Sequence, residues 1–347
     1  MPVLWFCLVA VSLAGYVILD GFDLGAGIAH LLIARNDEER RAVLGSIGPV
    51  WDGNEVWLLA GGATLYFAFP ALYSSSFSGF YLPLMIVLWL LILRGCAIEF
   101  RNHVSGATWT PFWDTVFAGA SALLAIFFGA ALGNVLRGVP LTGDGEFFLP
   151  LWTDFRPGPE PGILDWYTIL IALFALAALA LHGALWLNLK TGGALQARAR
   201  RLAAVSAAAV VLLTALATPA SFAVQPHILE SFSAHPWGFL FPSLALASLA
   251  GVWFFLAQRR DLPAFLSSCA FIGAMLSSAA FGIFPYVLPS NAGRSRGLTV
   301  YNAAAPEYGL AAGLWWWIPG MLLALGYTFF VYRGFAGKVT AGSGGHY

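Results

Sequence analysis

Apolar stretches of about 20 residues, the length a helix needs to cross a bilayer, recur nine times along this chain. They cover residues 2–34, 50–69, 77–98, 112–136, 164–189, 202–224, 237–257, 263–285 and 310–332. In hydrocarbon every backbone N–H and C=O must be paired inside the protein, and continuous apolar runs achieve this as helices. The expected fold is an all-α, polytopic membrane helix bundle of nine transmembrane helices, forming one integral membrane domain over residues 1–347. Composition agrees: 59% of residues are hydrophobic and 10% charged, against about 25% charged in soluble domains. The formal net charge is zero, so no basic field points to nucleic acid. The first run lacks a basic leader and continues into polar sequence, which reads as a retained span and not a cleaved signal.

The loops alternate in charge. Arg35, Arg40, Arg41, Arg101, Lys190, Arg198, Arg200, Arg201, Arg259, Arg260, Arg333 and Lys338 fall on one side, and Arg137, Arg156, Arg294 and Arg296 on the other. Twelve basic residues against four place the N-terminus outside and the C-terminus in the cytoplasm. Asn36-Asp37-Glu38-Glu39 has the form of a capping box opening a short cytoplasmic surface helix to about Gly45. The outer loops 138–162 and 290–308 are rich in turn-forming residues and are expected to be irregular. Trp315-Trp316-Trp317 fits an interfacial aromatic belt.

Against this apolar background four carboxylates stand out. Asp20 and Asp23 interrupt the first run, and Asp52 and Glu55 the second. Each pair is spaced i, i+3 and so shares a helix face. One Asp at a helix centre in lipid costs about 2.5–3.5 kcal/mol, so a chain that keeps four of them uses them. With Asn54 beside them, and Arg94 and Glu99 at the inner end of the third span, these charges are expected to gather in the cytoplasmic half of the membrane. Such a set reads as an intake for protons, with Arg94 balancing part of the negative charge.

Other chemistry is sparse. His30 and His182 lie in or near spans but belong to no paired motif, and with His103, His227 and His235 they read as hydrogen-bonded structure. Cys7, Cys96 and Cys269 are scattered, with no C-x-x-C, and read as small core residues. Gly25-Ala26-Gly27 and Gly61-Gly62 suggest close helix contacts. No phosphate loop, nucleophile triad or metal-ligand cluster is evident, so the chain by itself shows little sign of bond-making catalysis.

Five strings carry a family likeness. Leu19-Asp20-Gly21-Phe22-Asp23-Leu24-Gly25, Ser46-Ile47-Gly48-Pro49-Val50-Trp51-Asp52-Gly53-Asn54-Glu55-Val56-Trp57, Phe77-Ser78-Gly79-Phe80-Tyr81, Arg94-Gly95 with Glu99-Phe100-Arg101, and Phe284-Pro285-Tyr286-Val287-Leu288-Pro289-Ser290 occur in order from the first span to the eighth. Together they resemble subunit II of the cytochrome bd-type quinol oxidases. The resemblance implies a respiratory complex of the bacterial cytoplasmic (inner) membrane that oxidises quinol, reduces dioxygen to water and builds a proton gradient. It also implies a haem-bearing polytopic partner, subunit I, which holds two b-type haems and haem d and carries the quinol-oxidising loop. A bound quinone and a small single-span subunit are further partners it allows. Residue by residue, it gives Asp23 and Asp52 roles in proton delivery and Trp57 a role in the oxygen route. Asp20, Asn54, Glu55, Arg94 and Glu99 join the proton path on spacing and charge. The chain departs from one branch of the family in having Arg94-Gly95-Cys96 where that branch has Arg-Pro, and Glu55 where some members have Gln.

The expected mechanism is conduction of protons from the cytoplasm through Asp52, Glu55, Asp23 and Asp20 toward an oxygen-reducing haem in the partner, with no catalytic residue in this chain. Two rivals are a stand-alone proton-coupled secondary transporter, whose repeat symmetry is not evident here, and a purely scaffolding subunit.

Overall fold

A computed structural model describes residues 1–104, 106–293 and 296–339. Arg294, counted above on the outer side, lies outside the described residues. Twelve helices account for almost all the regular structure: α1 (Pro2–Ile33), α2 (Asp37–Ile47), α3 (Trp51–Ala68), α4 (Pro70–Gly79), α5 (Tyr81–Phe100), α6 (Trp109–Arg137), α7 (Trp166–Lys190), α8 (Gly193–Val224), α9 (Pro226–Ala234), α10 (Leu240–Ala257), α11 (Asp261–Ile283) and α12 (Glu307–Gly334). A 3-10 turn at Pro236–Phe239 leads into α10, and β1 (Tyr286–Leu288) pairs antiparallel with β2 (Leu298–Thr299). Among the described residues eight helical segments are long and apolar enough to cross a membrane, or nine when the bent pair α3–α4 counts as one.

That bent pair is where the structure departs most from the expected spans. The second run was read as one helix over 50–69, with the third starting at 77. Instead α3 stops at Ala68, and α4 leaves at 119° to it. Phe69, with φ −134 and ψ 66, is driven out of the helical region because it precedes Pro70. Phe77, Ser78 and Gly79 therefore belong to α4, and the third span begins at Tyr81. The sixth span also starts earlier than 202: α8 begins at Gly193. Its arginines can lie in helix because they are partnered. Arg198 Nε donates to Ile33 O at 2.5 Å and its guanidinium pairs with Glu39, while Arg200 pairs with Asp261 at 2.9 Å.

α1 is the central helix. From Asp20 to His30 every residue but Ile28 is buried, packed against α3, α6 and α7. The contact with α7 is backbone to backbone: a Cβ on Gly25 would lie 2.1 Å from Leu179 O, and one on Gly183 2.1 Å from the Gly25 carbonyl carbon. Only glycine at both positions allows this approach. The core around α1, α6 and α7 is one apolar cluster. A second joins the N-terminal half of α1 to the loop regions, through Trp5, Val139, Leu141, Phe147, Leu288 and Val300. The loops expected to be irregular are largely so, yet they pack as an apolar cap over this end of the bundle.

α2 opens as foreseen: Asn36 Oδ1 accepts from Glu39 N at 2.9 Å, and Glu39 Oε2 accepts from Arg35 N at 2.6 Å. It continues to Ile47 and buries Val43, Leu44, Ser46 and Ile47, so only one of its faces is a surface. Trp315 and Trp316 project outward, 85% and 55% exposed. Trp317 turns inward, its Nε1 donating to Thr64 Oγ1 at 3.1 Å.

Candidate functional site

Asp20 and Asp23 sit on one face of α1, and α3, α5 and α12 bring their partners. The Arg94 guanidinium, from α5, donates through Nη1 to both Asp20 oxygens at 2.8 and 2.9 Å, and through Nη2 to Glu55 Oε2 of α3 at 2.8 Å. Asp20 and Arg94 are fully buried, while the Glu55 side chain keeps 25% exposure. One turn along α1, Asp23 Oδ2 accepts from Asn54 Nδ2 at 2.7 Å, and Asn54 Oδ1 accepts from the Tyr332 hydroxyl at 2.8 Å. The packing of Phe22 on Trp186, with ring centroids 4.1 Å apart, closes the neighbouring side.

Two carboxyl groups, Asp20 and Glu55, thus hold one guanidinium inside the bundle, with a third, Asp23, one turn away. A buried charge without a counter-charge is costly. The set carries more acidic groups than fixed cations. Some of its buried polar atoms have no partner: Asp23 Oδ1, Arg94 Nε and the nearby Tyr16 hydroxyl.

The structure brings together Asp20, Asp23, Asn54, Glu55 and Arg94 of the residues expected in the proton path. It leaves Asp52 exposed in the first turn of α3 and Glu99 exposed near the end of α5. Glu99 acts here through its backbone oxygen, in contact with His103 Nδ1 at 2.6 Å. Trp57 is 8% exposed and lies against α1, so close that a Cβ on Gly15 would sit 3.1 Å from its ring.

A second polar cluster, not foreseen from the sequence, lies where α1 ends and α6 begins. Asp114, 1% exposed, accepts from Arg40 Nη1 at 2.9 Å and Arg101 Nε at 2.5 Å, and its Oδ1 meets His30 Nε2 at 2.7 Å. Arg101 also bridges to Asp37 at 2.8 Å. Burial would lower the Arg101 pKa, but the hydrogen bonds to Asp114 and Asp37 outweigh it and raise it above its ordinary value. On α2, slight burial pushes the Glu39 carboxyl up. The hydrogen bonds from Arg35 N and Arg198 outweigh this and hold it below the usual range. The signal for Asp114 was present: it interrupts the apolar run 112–136 as Asp20 interrupts the first. Tyr332, at the far end of the chain, gave none.

His182 is not placed to hold a haem. His182 has both ring nitrogens engaged, Nδ1 with Ser268 Oγ at 2.7 Å and Nε2 with Ile18 O at 2.9 Å. His30 spends Nε2 on Asp114, and its ring is fully buried against Phe117. Among the described residues no group of three or more His, Cys, Asp or Glu is arranged to hold a metal ion.

Comparison with known proteins agrees with this picture. Residues 1–335 match the family described as cytochrome bd terminal oxidase subunit II. The chain is 30% identical to a Haemophilus influenzae protein named probable cytochrome oxidase subunit 2, over 97% of this chain and 95% of that protein. It is 33% identical to the Bacillus subtilis cytochrome bd ubiquinol oxidase subunit 2, over 88% and 87%. It is 28% identical to the Escherichia coli K12 cytochrome bd-I ubiquinol oxidase subunit 2, over 97% and 94%. In fold it matches a chain of the bd oxidase from Geobacillus thermodenitrificans, with a TM-score of 0.72 at 19% identity over 96% and 98% of the two chains. A protein whose sequence matches this family from its first residue through its last span, and whose helices superpose on a bd oxidase, belongs to the cytochrome bd terminal oxidase subunit II family.

Proposed function

We propose that within the quinol oxidase complex this chain takes up protons from the cytoplasm, holds them at the Asp20–Asp23–Asn54–Glu55–Arg94 cluster, and passes them toward subunit I. The observation that carries this reading is the charge imbalance: two buried carboxyl groups and one partly exposed one against one guanidinium. The orientation belongs to the same reading. The arginines after the ends of α1 and α5 and at the start of α8 point to the cytoplasm, with the N-terminus outside, in a bacterial inner membrane. The two b-type haems and haem d are assigned to subunit I, a reading supported by His182, whose two ring nitrogens are both engaged. Quinol oxidation and dioxygen reduction then take place there, and Trp57 stands beside an oxygen route. A structural quinone and a small accessory subunit remain part of the proposal.

Asp52 fits this reading as the link to the partner. An exposed carboxylate on a helix of the bundle cannot face hydrocarbon without a cost of about 2.5–3.5 kcal/mol, so protein or water covers it. Lying one turn before Glu55, it joins the half-exposed side of the cluster to that covering surface.

Family membership disfavours a stand-alone transporter. The remaining rival, a purely scaffolding role, is separated by Asp52→Asn, which keeps the shape and removes the titrating group. Turnover of the assembled complex is expected to fall with normal haem content. Wild-type turnover in that variant ends the case for conduction through Asp52.

A further inference from the structure

In lipid, apolar burial gives little force between helices, so hydrogen bonds and close packing decide how one helix sits on its neighbours. This bears most on α12. Its buried residues are Leu310 and Gly313, both near its start. In its second half Leu322, Leu323, Leu325, Tyr327, Phe329 and Phe330 are all exposed. The end that reaches the charge cluster is held by Tyr332. Its hydroxyl donates to Asn54 Oδ1 at 2.8 Å, and its ring meets Trp186 edge-on at 6.2 Å.

The segment that follows, Phe335 to Val339, lies across the end of α7, where Lys190 of the last turn holds both its ends. Lys190 Nζ donates to Phe335 O at 2.6 Å, and Lys190 O accepts from Val339 N at 2.8 Å. Between these points the chain turns at Gly337, whose φ of 110 suits glycine. Val339 then reaches α2: a Cβ on Gly45 would lie 3.5 Å from Val339 Cγ1. Phe335 is the C-cap of α12, and its N–H donates to Val331 O at 3.0 Å. The Lys190 ammonium therefore stands at the carbonyl ends of two helices, α7 and α12, where the helix dipoles favour a cation. It is also 5.2 Å from the centroid of the Trp186 ring, whose Nε1 donates to Ser46 O at 3.2 Å. Lys190 itself is only 8% exposed, and burying an ammonium is costly unless it is bonded.

We propose that Lys190 is a positioning residue for the proton-holding cluster: it latches the end of α12 so that Tyr332 stays on Asn54 and Asn54 stays on Asp23. The proposal rests on the proton-holding reading of that cluster. Lys190 acts through three links. Phe335 lies within one helical turn of Tyr332, so fixing its carbonyl fixes the turn that carries the phenol. Tyr332 donates to Asn54 Oδ1, which leaves Asn54 Nδ2 to donate to Asp23 Oδ2 at 2.7 Å. The Asn54 amide has two faces. Turned by half a rotation, it would offer Asp23 its oxygen in place of its N–H. An N–H partner stabilises the carboxylate, whereas an oxygen partner suits only the protonated acid. A carboxyl that takes up a proton and gives it away again needs the first arrangement, and the latch preserves it.

The test records turnover of the intact oxidase complex, at normal haem content, for Lys190→Met, Lys190→Arg, Tyr332→Phe, Asp23→Asn and the Lys190→Met/Tyr332→Phe pair. Loss of one ordinary hydrogen bond should lower turnover in Lys190→Met by about fivefold. Lys190→Arg, which still donates to Phe335 O, should recover most of it. Both Lys190→Met and Tyr332→Phe act on Asn54, so the double variant should fall no further than the lower single one, whereas independent structural effects multiply. Multiplied losses overturn the latch. Wild-type turnover in Lys190→Met with Asp23→Asn impaired also overturns it, and leaves the cluster standing. Wild-type turnover in Lys190→Met, Tyr332→Phe and Asp23→Asn overturns both. As a measurement independent of any folding defect, a structure of the wild-type complex should show Lys190 bonded to Phe335 O and Tyr332 bonded to Asn54. A C-terminal segment that leaves the end of α7 contradicts the proposal.

Discussion

Two buried charge clusters lie along α1, and they are built on opposite plans. Around Asp20 and Asp23 three carboxyl groups stand with one guanidinium, which bonds two of them. Around Asp114 one buried carboxylate is clamped by two guanidinium groups and an imidazole, with Asp37 completing the network at the surface. The first has more acid than base and is neutral only with added protons. The second has its charges matched by the protein itself, so it holds the ends of α1, α2, α5 and α6 in place. Both contain the same residue types. On the proposed reading, what separates the proton-holding cluster from the structural one is the ratio of carboxyl groups to fixed cations and the depth at which they are buried.

Substitutions can break this contrast, beginning with the most damaging. Arg94→Met removes the only cation of the first cluster and leaves Asp20 and Glu55 uncompensated. Breaking a buried pair from one side costs about 3–5 kcal/mol, so the complex should assemble poorly or melt far lower in a thermal scan. Asp114→Asn keeps the shape but strips the clamp of its anion. A loss of about 2 kcal/mol, less than for Arg94 because Arg40 keeps contact with solvent and Arg101 keeps Asp37, is expected in the same scan. Proton uptake should suffer less than stability in that variant. Tyr332→Phe deletes the donor to Asn54 Oδ1, and an unpaired buried acceptor costs about 1 kcal/mol. Asp23 then loses a fixed orientation of its only partner, so a modest fall in turnover should accompany a small fall in melting temperature.

Glu39→Gln lies at the mild end. Because the Glu39 carboxyl is held below its usual range, its stabilising contribution is present above the unfolded value, near pH 4 by an approximate reference, and is lost as pH falls through the folded value. Wild type and Glu39→Gln should therefore differ slightly at neutral pH, by less than about 1 kcal/mol for such a partly exposed surface pair, and converge in acid. Melting curves across that range provide the check.

How much of this was legible in the sequence depended on distance along the chain. The pairing of Asp20 with Asp23 on one face follows from the 3.6-residue period, and their link to Glu55 and Arg94 was expected from charge alone. The outward turn of Asp52 was not, because the rotation of α3 is set by what Asn54 and Trp57 pack against. The bend after Ala68 was foreshadowed by Pro70, but its angle depends on the loops that bury α4, such as Phe147 against Gly79. Tyr332 reaches Asn54 across 278 positions, and His30 finds Asp114 across 84. Local periodicity has no reach over such separations.

The central claim is that the first cluster carries protons and does not merely pack. It is tested most directly by reconstituting the intact complex with Asp23→Asn in vesicles and recording proton uptake together with oxygen consumption. The account predicts normal haem content and assembly, with both rates falling by about 10²-fold, the lower end for loss of a proton-transferring group. Wild-type rates of both in that variant would contradict it.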